Sequence, residues 1–193
     1  MPPLHPGGKY FFDPALDPVW AACVDVGFAL SQHGGTGAPD YQPASFASFM
    51  VLATEHSFYS GRSLWQLILG GVFDRFPTLK IITHHCGGMV PFFAGRVSGA
   101  GQANLDAAGG VKVKVSRPTM DYFKMFYGDT ALSGYTPGLM LGYNFFGADH
   151  VLFGTDAPFG EVKDKIASVA NMAIPESDKA KIFSGNARRL LGI

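Results

Sequence analysis

Four short apolar stretches each run into a side chain able to bind a metal or move a proton: Phe28 to His33, Lys80 to His85, Lys124 to Asp129 and Val151 to Asp156. Neutral imidazoles and carboxylates are ordinary ligands for zinc-like ions. Near neutral pH the same groups act as general acids and bases. A parallel β/α barrel delivers its chemistry in this way, because its strands converge at their C-terminal ends on an open mouth shaped by the βα loops. The pattern therefore predicts an enzyme, and a metal enzyme in particular.

The candidates differ in context. His33 is followed by Gly34 and Gly35, which let backbone come close to a ligand. His84 and His85 are neighbours, and neighbouring side chains on a strand face opposite ways, so at most one of them is expected to enter the mouth. Asp156 closes an apolar run that ends in Gly154 and Thr155. Asp129, between Gly128 and Thr130, reads equally as a site residue or as the N-cap of a following helix. His150 precedes its strand, which puts it at the opposite end, where barrel residues serve stability. His5 and His56 have no supporting context and are expected to be solvated or packed. Arg62 and Arg96 could clamp a substrate carboxylate, although a helical arginine more often serves a surface ion pair.

These residues need strands and helices to hold them. Asp13 to Val26 suits a helix closed by Gly27, and a strand from Phe28 to Gln32 follows. The run from His33 to Asp40 is a glycine-rich loop. Helical patterns cover Ala44 to Phe58 and Ser63 to Phe73 and end by Pro77. A strand over Lys80 to Thr83 leads into the two histidines, and Val90 to Val97 reads as a helix. Ser98 to Gly110 is loop-like, and Val111 to Val115 alternates as a half-exposed strand would. The strand ending near Asp129 is followed by a helix over Gly138 to Phe146 and a strand over Val151 to Thr155. A helix over Ser177 to Ser184, capped by Ser177, precedes a last short one capped by Asn186.

Composition narrows the classes. The chain has 193 residues, 47% of them hydrophobic and 16% charged, enough for one well-packed domain, whereas a complete eight-stranded barrel takes roughly 250. Fifteen basic residues balance fifteen acidic ones, which argues against nucleic acid or an anionic membrane as the partner and leaves a small-molecule substrate. Cys23 and Cys86 form no CxxC pair and read as reduced thiols. With an N-terminus that lacks the pattern of a signal peptide, they predict a cytoplasmic protein. The most apolar segment, Leu64 to Phe76, is interrupted by Gln66, Asp74 and Arg75 and predicts a helix with one buried face rather than a membrane span.

Leu79 to Arg96, Val151 to Phe159 and Asn186 to Gly192, with the upstream run from Asp17 through Gly35, resemble the amidohydrolase-related family that includes aminocarboxymuconate semialdehyde decarboxylase and related aromatic-acid decarboxylases and hydrolases. The resemblance implies a distorted TIM barrel with one divalent metal at its C-terminal rim, most often zinc, with manganese possible. It implies His33 as a metal ligand, His85 as the catalytic histidine, a general acid/base or a stabiliser of the developing oxyanion, and Asp156 as an aspartate that ligates the metal or shuttles a proton, which leaves His84 as a packed or rim histidine. The family opens on a His-X-His pair that this chain does not contain. The expected architecture is thus α/β, the C-terminal half (strands 5 to 8) of such a barrel in one unit over residues 1–193. The expected activity is decarboxylation or hydrolysis of a small carboxylated or cyclic substrate, in a homo-oligomer or with a complementing chain. The contrasting expectation is a non-catalytic half-barrel that needs a second chain to close its sheet.

Overall fold

The computed structural model describes residues 10–33, 54–98 and 115–193. The expected loop after His33, most of the helix over Ala44 to Phe58, nearly all of the Ser98 to Gly110 loop and the strand over Val111 to Val115 lie outside them or almost so. Among the described residues, four strands form one parallel sheet in the order β1-β2-β3-β4: β1 Ala29–Gln32, β2 Lys80–Thr83, β3 Tyr127–Asp129 and β4 Val151–Leu152. Parallel neighbours need a crossover. The described helices in those crossovers are α2 His56–Leu69 and α3 Val72–Arg75 between β1 and β2, α4 Ala94–Val97 and α5 Thr119–Phe123 between β2 and β3, and α6 Thr136–Phe146 between β3 and β4, with α1 Asp17–Asp25 before the sheet.

The register sets which side chains share a face. Ser31 lies opposite Ile82 and Ile82 opposite Tyr127, whereas Leu30 lies opposite Ile81 and Thr83 opposite Gly128. The helices cover the second set: Ile81 and Thr83 are buried, whereas Ile82 and Tyr127 are half-buried and Ser31 is exposed. The core on the covered face packs Phe73 edge-on to Phe126 at 5.0 Å and Trp65 edge-on to Phe123 at 5.0 Å. Leu64, Ile68, Phe146 and Ile182 belong to the same buried cluster. Each of these large side chains contributes roughly 1.5–3 kcal/mol on burial. A side chain at Gly142 would run into Cys86, so the glycine lets α6 lie directly against the chain that follows β2.

Local signals explain most element boundaries. Asp13 accepts a hydrogen bond from the Ala15 amide at 2.8 Å, and Pro14 and Pro18 stiffen the first turns leading into α1. Gly27, at φ 66°, turns the chain from α1 into β1. Arg75 grips Asp17 through two hydrogen bonds of 3.0 and 2.9 Å, tying α3 to α1.

Five expectations are corrected. The helix expected to start at Ser63 runs unbroken from His56, with Ser60 and Gly61 extending its buried stripe one turn ahead of Leu64. The helix expected over Val90 to Val97 is confined to Ala94–Val97, the preceding residues forming turns after Gly88. β4 ends at Leu152, not Thr155, because the Phe153 amide turns to the carbonyl of Ile182 and that of Gly154 to the Thr130 hydroxyl. Ser177 does not cap its helix, α8 Glu176–Ala180, which starts after Pro175. A π-helical turn, Lys181–Gly185, joins α8 to α9 Asn186–Leu191. Asn186 therefore caps nothing. Its buried amide donates to the carbonyls of Ala148 and Val151 at 2.8 and 2.7 Å and anchors the start of β4. A helix α7, Val162–Ala170, has no counterpart in the sequence reading.

Candidate metal and catalytic site

The C-terminal ends of β1 and β2 and the start of α2 bring four imidazoles together. His33 follows β1 and His84 and His85 follow β2, while His56 enters from the first turn of α2. The His33 ring lies 4.7 Å from His56, 4.9 Å from His84 and 5.3 Å from His85, in each case edge to face. One ligand nitrogen from each of His33, His56 and His85 lies within 4.8 Å of the others. Nitrogens bound tetrahedrally to zinc at about 2.0–2.1 Å sit roughly 3.4 Å apart. This set is wider than a closed zinc shell, so it can supply donors to an ion and still leave one imidazole free to exchange a proton, and imidazole donors suit zinc-like or manganese-like metals.

Both His84 and His85 face this cluster, which corrects the expectation that only one would. Strand alternation stops at Thr83. His84 remains extended, but His85 and Cys86 take left-handed backbone at φ 53° and 49°, so two successive imidazoles emerge on the same side. Left-handed backbone costs a non-glycine residue free energy and persists only where its surroundings impose it. Gly88, also at positive φ, supports the turn, because a side chain there would strike the Ser57 carbonyl.

Asp129 holds the turn in place. Its buried carboxylate is 5% exposed. Oδ1 accepts the amide of His85 at 2.7 Å and that of Ala131 at 3.1 Å, and Oδ2 accepts Nδ1 of His84 at 2.7 Å. The Cys86 thiol donates to the Asp129 carbonyl at 2.9 Å. Of the two readings left open for Asp129, the helix cap is not realised, since α6 begins only at Thr136. The His84 ring is thereby oriented so that Nε2 meets the hydroxyl of Ser31 at 2.7 Å. His85 Nδ1 lies 2.6 Å from the Ala131 carbonyl. A carbonyl can only accept, so Nδ1 bears the hydrogen and Nε2 is left to bind or exchange a proton.

Charge states follow from these contacts. The hydrogen bond to Asp129 raises the pKa of His84 above the ordinary imidazole value against the opposing effect of burial, and the charges of Asp129 and Asp156 add to the rise. Burial lowers that of His56, as does the proximity of His33 and His85, with Asp156 and Glu55 partly offsetting the drop. A neutral imidazole is the form that binds a metal.

Asp156 lies in the loop after β4 at φ 56°, followed by the cis peptide Ala157–Pro158. Its carboxylate is not one of the three groups within 4.8 Å, yet its charge acts on His56 and His84. Thr130 Oγ1 donates to the Gly154 carbonyl and accepts from the Gly154 amide, both at 3.0 Å, which fixes this loop against the end of β3. His150 stays outside the cluster as expected, stacked on Tyr127 at 4.4 Å with Nδ1 at 3.0 Å from the Phe126 carbonyl. Arg96 is exposed on α4, and Arg62 lies over Phe58 beside an apolar cavity of about 150 Å³ lined also by Trp65, Met89 and Phe93. Sequence reasoning missed His56. No motif surrounds it, and only the return of α2 across the sheet brings it to His33.

The amidohydrolase family model matches residues 3–193. The chain is 29% identical over 189 residues to 2-amino-3-carboxymuconate-6-semialdehyde decarboxylase of Dictyostelium discoideum, covering 96% of this chain and 51% of that protein. Among solved structures it superimposes on 2,6-dihydroxybenzoate decarboxylase from Rhizobium with a TM-score of 0.84 and 25% identity, over 98% of this chain and 59% of that one. It also superimposes on a dihydroxybenzoic acid decarboxylase from Polaromonas sp. JS666 with bound manganese and the inhibitor 2-nitroresorcinol, with a TM-score of 0.78 and 26% identity, over 95% of this chain and 55% of that one. The chain thus spans about half the length of the relatives it matches. Among the described residues no helix is long and apolar enough to cross a membrane.

Proposed function

The chain belongs to the amidohydrolase family, and on that premise we propose that it supplies strands 5 to 8 of a metal-dependent TIM-barrel decarboxylase for a small aromatic or unsaturated carboxylate. The observation that carries this reading is the convergence of His33 and His85, at the ends of parallel strands, with His56 from the start of α2, in a chain whose relatives are named as decarboxylases. His33 and Asp156 would hold the ion, with His56 adding a third donor that burial keeps neutral. When bound, a divalent ion of the zinc or manganese kind supplies fixed positive charge that anchors a substrate carboxylate and a neighbouring oxygen.

His85 does the proton work. Its Nδ1–H is committed to the Ala131 carbonyl, so Nε2 delivers the proton to the ring carbon as the bond to the departing carboxylate breaks. Asp129 fixes the backbone that aims His85, and Asp156 tunes the charge of the neighbouring imidazoles. In a hydrolytic version of the reaction Asp156 would instead take a proton from the attacking water; the names of the relatives favour decarboxylation. They equally disfavour a non-catalytic half-barrel. Strands β1 and β4 are the outer strands of the described sheet, and we place the remaining strands of a barrel, from further polypeptide or a second copy, against them.

Elemental analysis of protein purified without chelator tests this reading, together with release of carbon dioxide from hydroxylated benzoates. We expect near-stoichiometric zinc or manganese in the wild type and its loss in His33→Ala and Asp156→Ala. His85→Asn should retain metal while decarboxylation falls by roughly 10²-fold or more. Wild-type protein without metal, or His85→Asn with full activity, would overturn the assignment.

A further inference from the structure

Asp156 stands in a loop whose next residues, 157–161, are all exposed, and its own backbone is left-handed at φ 56°. Such a conformation persists only where the surroundings impose it, so the loop needs holding on both flanks. Upstream the fold grips it twice. The Phe153 amide bonds to the Ile182 carbonyl at 2.9 Å, and Gly154 exchanges two hydrogen bonds with Thr130. The π-helical turn makes the first grip available: there the Asn186 amide bonds back to Lys181 rather than to Ile182, its partner in an α-helix, which leaves the Ile182 carbonyl for Phe153.

Downstream the grip is a lysine that no step described so far uses. Lys165, near the start of α7, is 2% exposed. Its Nζ donates to the Phe159 carbonyl and lies 3.5 Å from that of Gly160. Phe159 in turn donates its amide to the Asp156 carbonyl at 2.9 Å, so Lys165, Phe159 and Asp156 form one hydrogen-bonded chain. A cation is unfavourable here. Burial strips its water, the N-terminal end of a helix is electropositive, and its partners among the described residues are carbonyls rather than carboxylates. Phe159 and Gly160 are themselves exposed, so water could serve their carbonyls, and the core gains little from the arrangement. A buried donor aimed at exposed carbonyls acts on the loop.

We propose that Lys165 is a positioning residue for the metal site, which rests on reading Asp156 as a ligand: by pinning Phe159 it holds residues 156–160 in one conformation and fixes where the Asp156 carboxylate can reach. Lys165 touches neither ion nor substrate and acts through the Phe159 backbone. Outer partners of this kind are typically worth roughly 10–100-fold in metal affinity.

The test is Lys165→Met, which fills the volume and removes the donors, beside Lys165→Arg, which keeps them. Hydrogen exchange of the peptide spanning residues 155–161 is followed by mass spectrometry in full-length chelated protein, together with the urea midpoint. Lys165→Met should exchange roughly 10-fold faster over that peptide, with an unchanged midpoint because the loss of a buried cation offsets the loss of its bonds. Lys165→Arg should exchange as the wild type does. Titration with manganese alone should show affinity weakened by roughly 10-fold in Lys165→Met and restored in Lys165→Arg. Wild-type exchange or wild-type manganese affinity in Lys165→Met would overturn the proposal, as would a midpoint that falls while exchange rises, since Lys165 would then be a packing residue. Exchange is read without metal. Wild-type protein that takes up no manganese therefore marks failure of the metal reading, whereas unchanged exchange in Lys165→Met marks failure of this one.

Discussion

Two aspartates in this protein are each saturated with hydrogen bonds, and they build different things. Asp74, at the end of α3, accepts the Ser116 hydroxyl at 2.6 Å, the Ser116 amide at 3.3 Å and the Tyr122 hydroxyl at 2.5 Å. Asp129, at the end of β3, accepts two amides and an imidazole. The donors around Asp74 are two hydroxyls and an amide, so that network is a fastener joining α3 to α5 and holds no imidazole. One donor around Asp129 titrates near neutrality, and the backbone it grips is left-handed. Donor chemistry, rather than the number of bonds, separates a scaffold from a site that can exchange protons.

The comparison breaks most readily at Asp129. Asp129→Ala leaves the buried amides of His85 and Ala131 without acceptors, each worth about 1–3 kcal/mol. Urea unfolding should show a loss of about 3 kcal/mol, with metal content and decarboxylation falling together. The equivalent cut at the other aspartate is milder. Tyr122→Phe should cost about 1 kcal/mol, the usual worth of one such bond, and leave metal content unchanged. If Tyr122→Phe lowered metal content as Asp129→Ala does, the two networks would not be separate.

The pH responses should have opposite signs. Against the effect of burial, the bonds from Ser116 and Tyr122 hold the carboxyl of Asp74 below the ordinary carboxylate range. Its contribution to stability is therefore present above the unfolded carboxylate pKa and lost as pH falls through the folded value. The pKa of His84 is raised by Asp129, so its contribution is complete below the unfolded imidazole value near 6.5 and is lost as pH rises through the folded one. Denaturation midpoints of chelated protein from pH 3 to 9 should lose the acid-side slope in Asp74→Asn and the alkaline-side slope in His84→Asn. A smaller contrast lies at the surface: removing Glu176, a mostly exposed partner of Lys179 at 2.7 Å, should shift stability by no more than about 0.5 kcal/mol.

What could be read from sequence followed the range of the forces involved. β2 was legible to the residue, and β1 to within one, because apolar runs bounded by glycine and proline are local facts. His33, His85 and Asp156 stood out because they end such runs. His56 did not, since its role depends on α2 crossing back over the sheet. His84 was assigned by strand alternation, which fails once Asp129 draws the chain into left-handed turns. Asn186 read as a cap because its type suits one, yet its partners are carbonyls 38 and 35 residues away. α7 was missed because its apolar side is thin: Ile166 is exposed and only Val169 among its larger aliphatic side chains is buried.

Cys86 gives the site a native reporter. Its thiol is buried behind α6, donates to the Asp129 carbonyl, and is pushed well above the ordinary thiol pKa by burial and by the charge of Asp129. In the closed state it should resist alkylation, whereas half-buried Cys23 serves as the internal clock for a more accessible thiol. The ratio of the two labelling rates then measures how often the end of β2 opens, and the cost of that opening, without a single substitution.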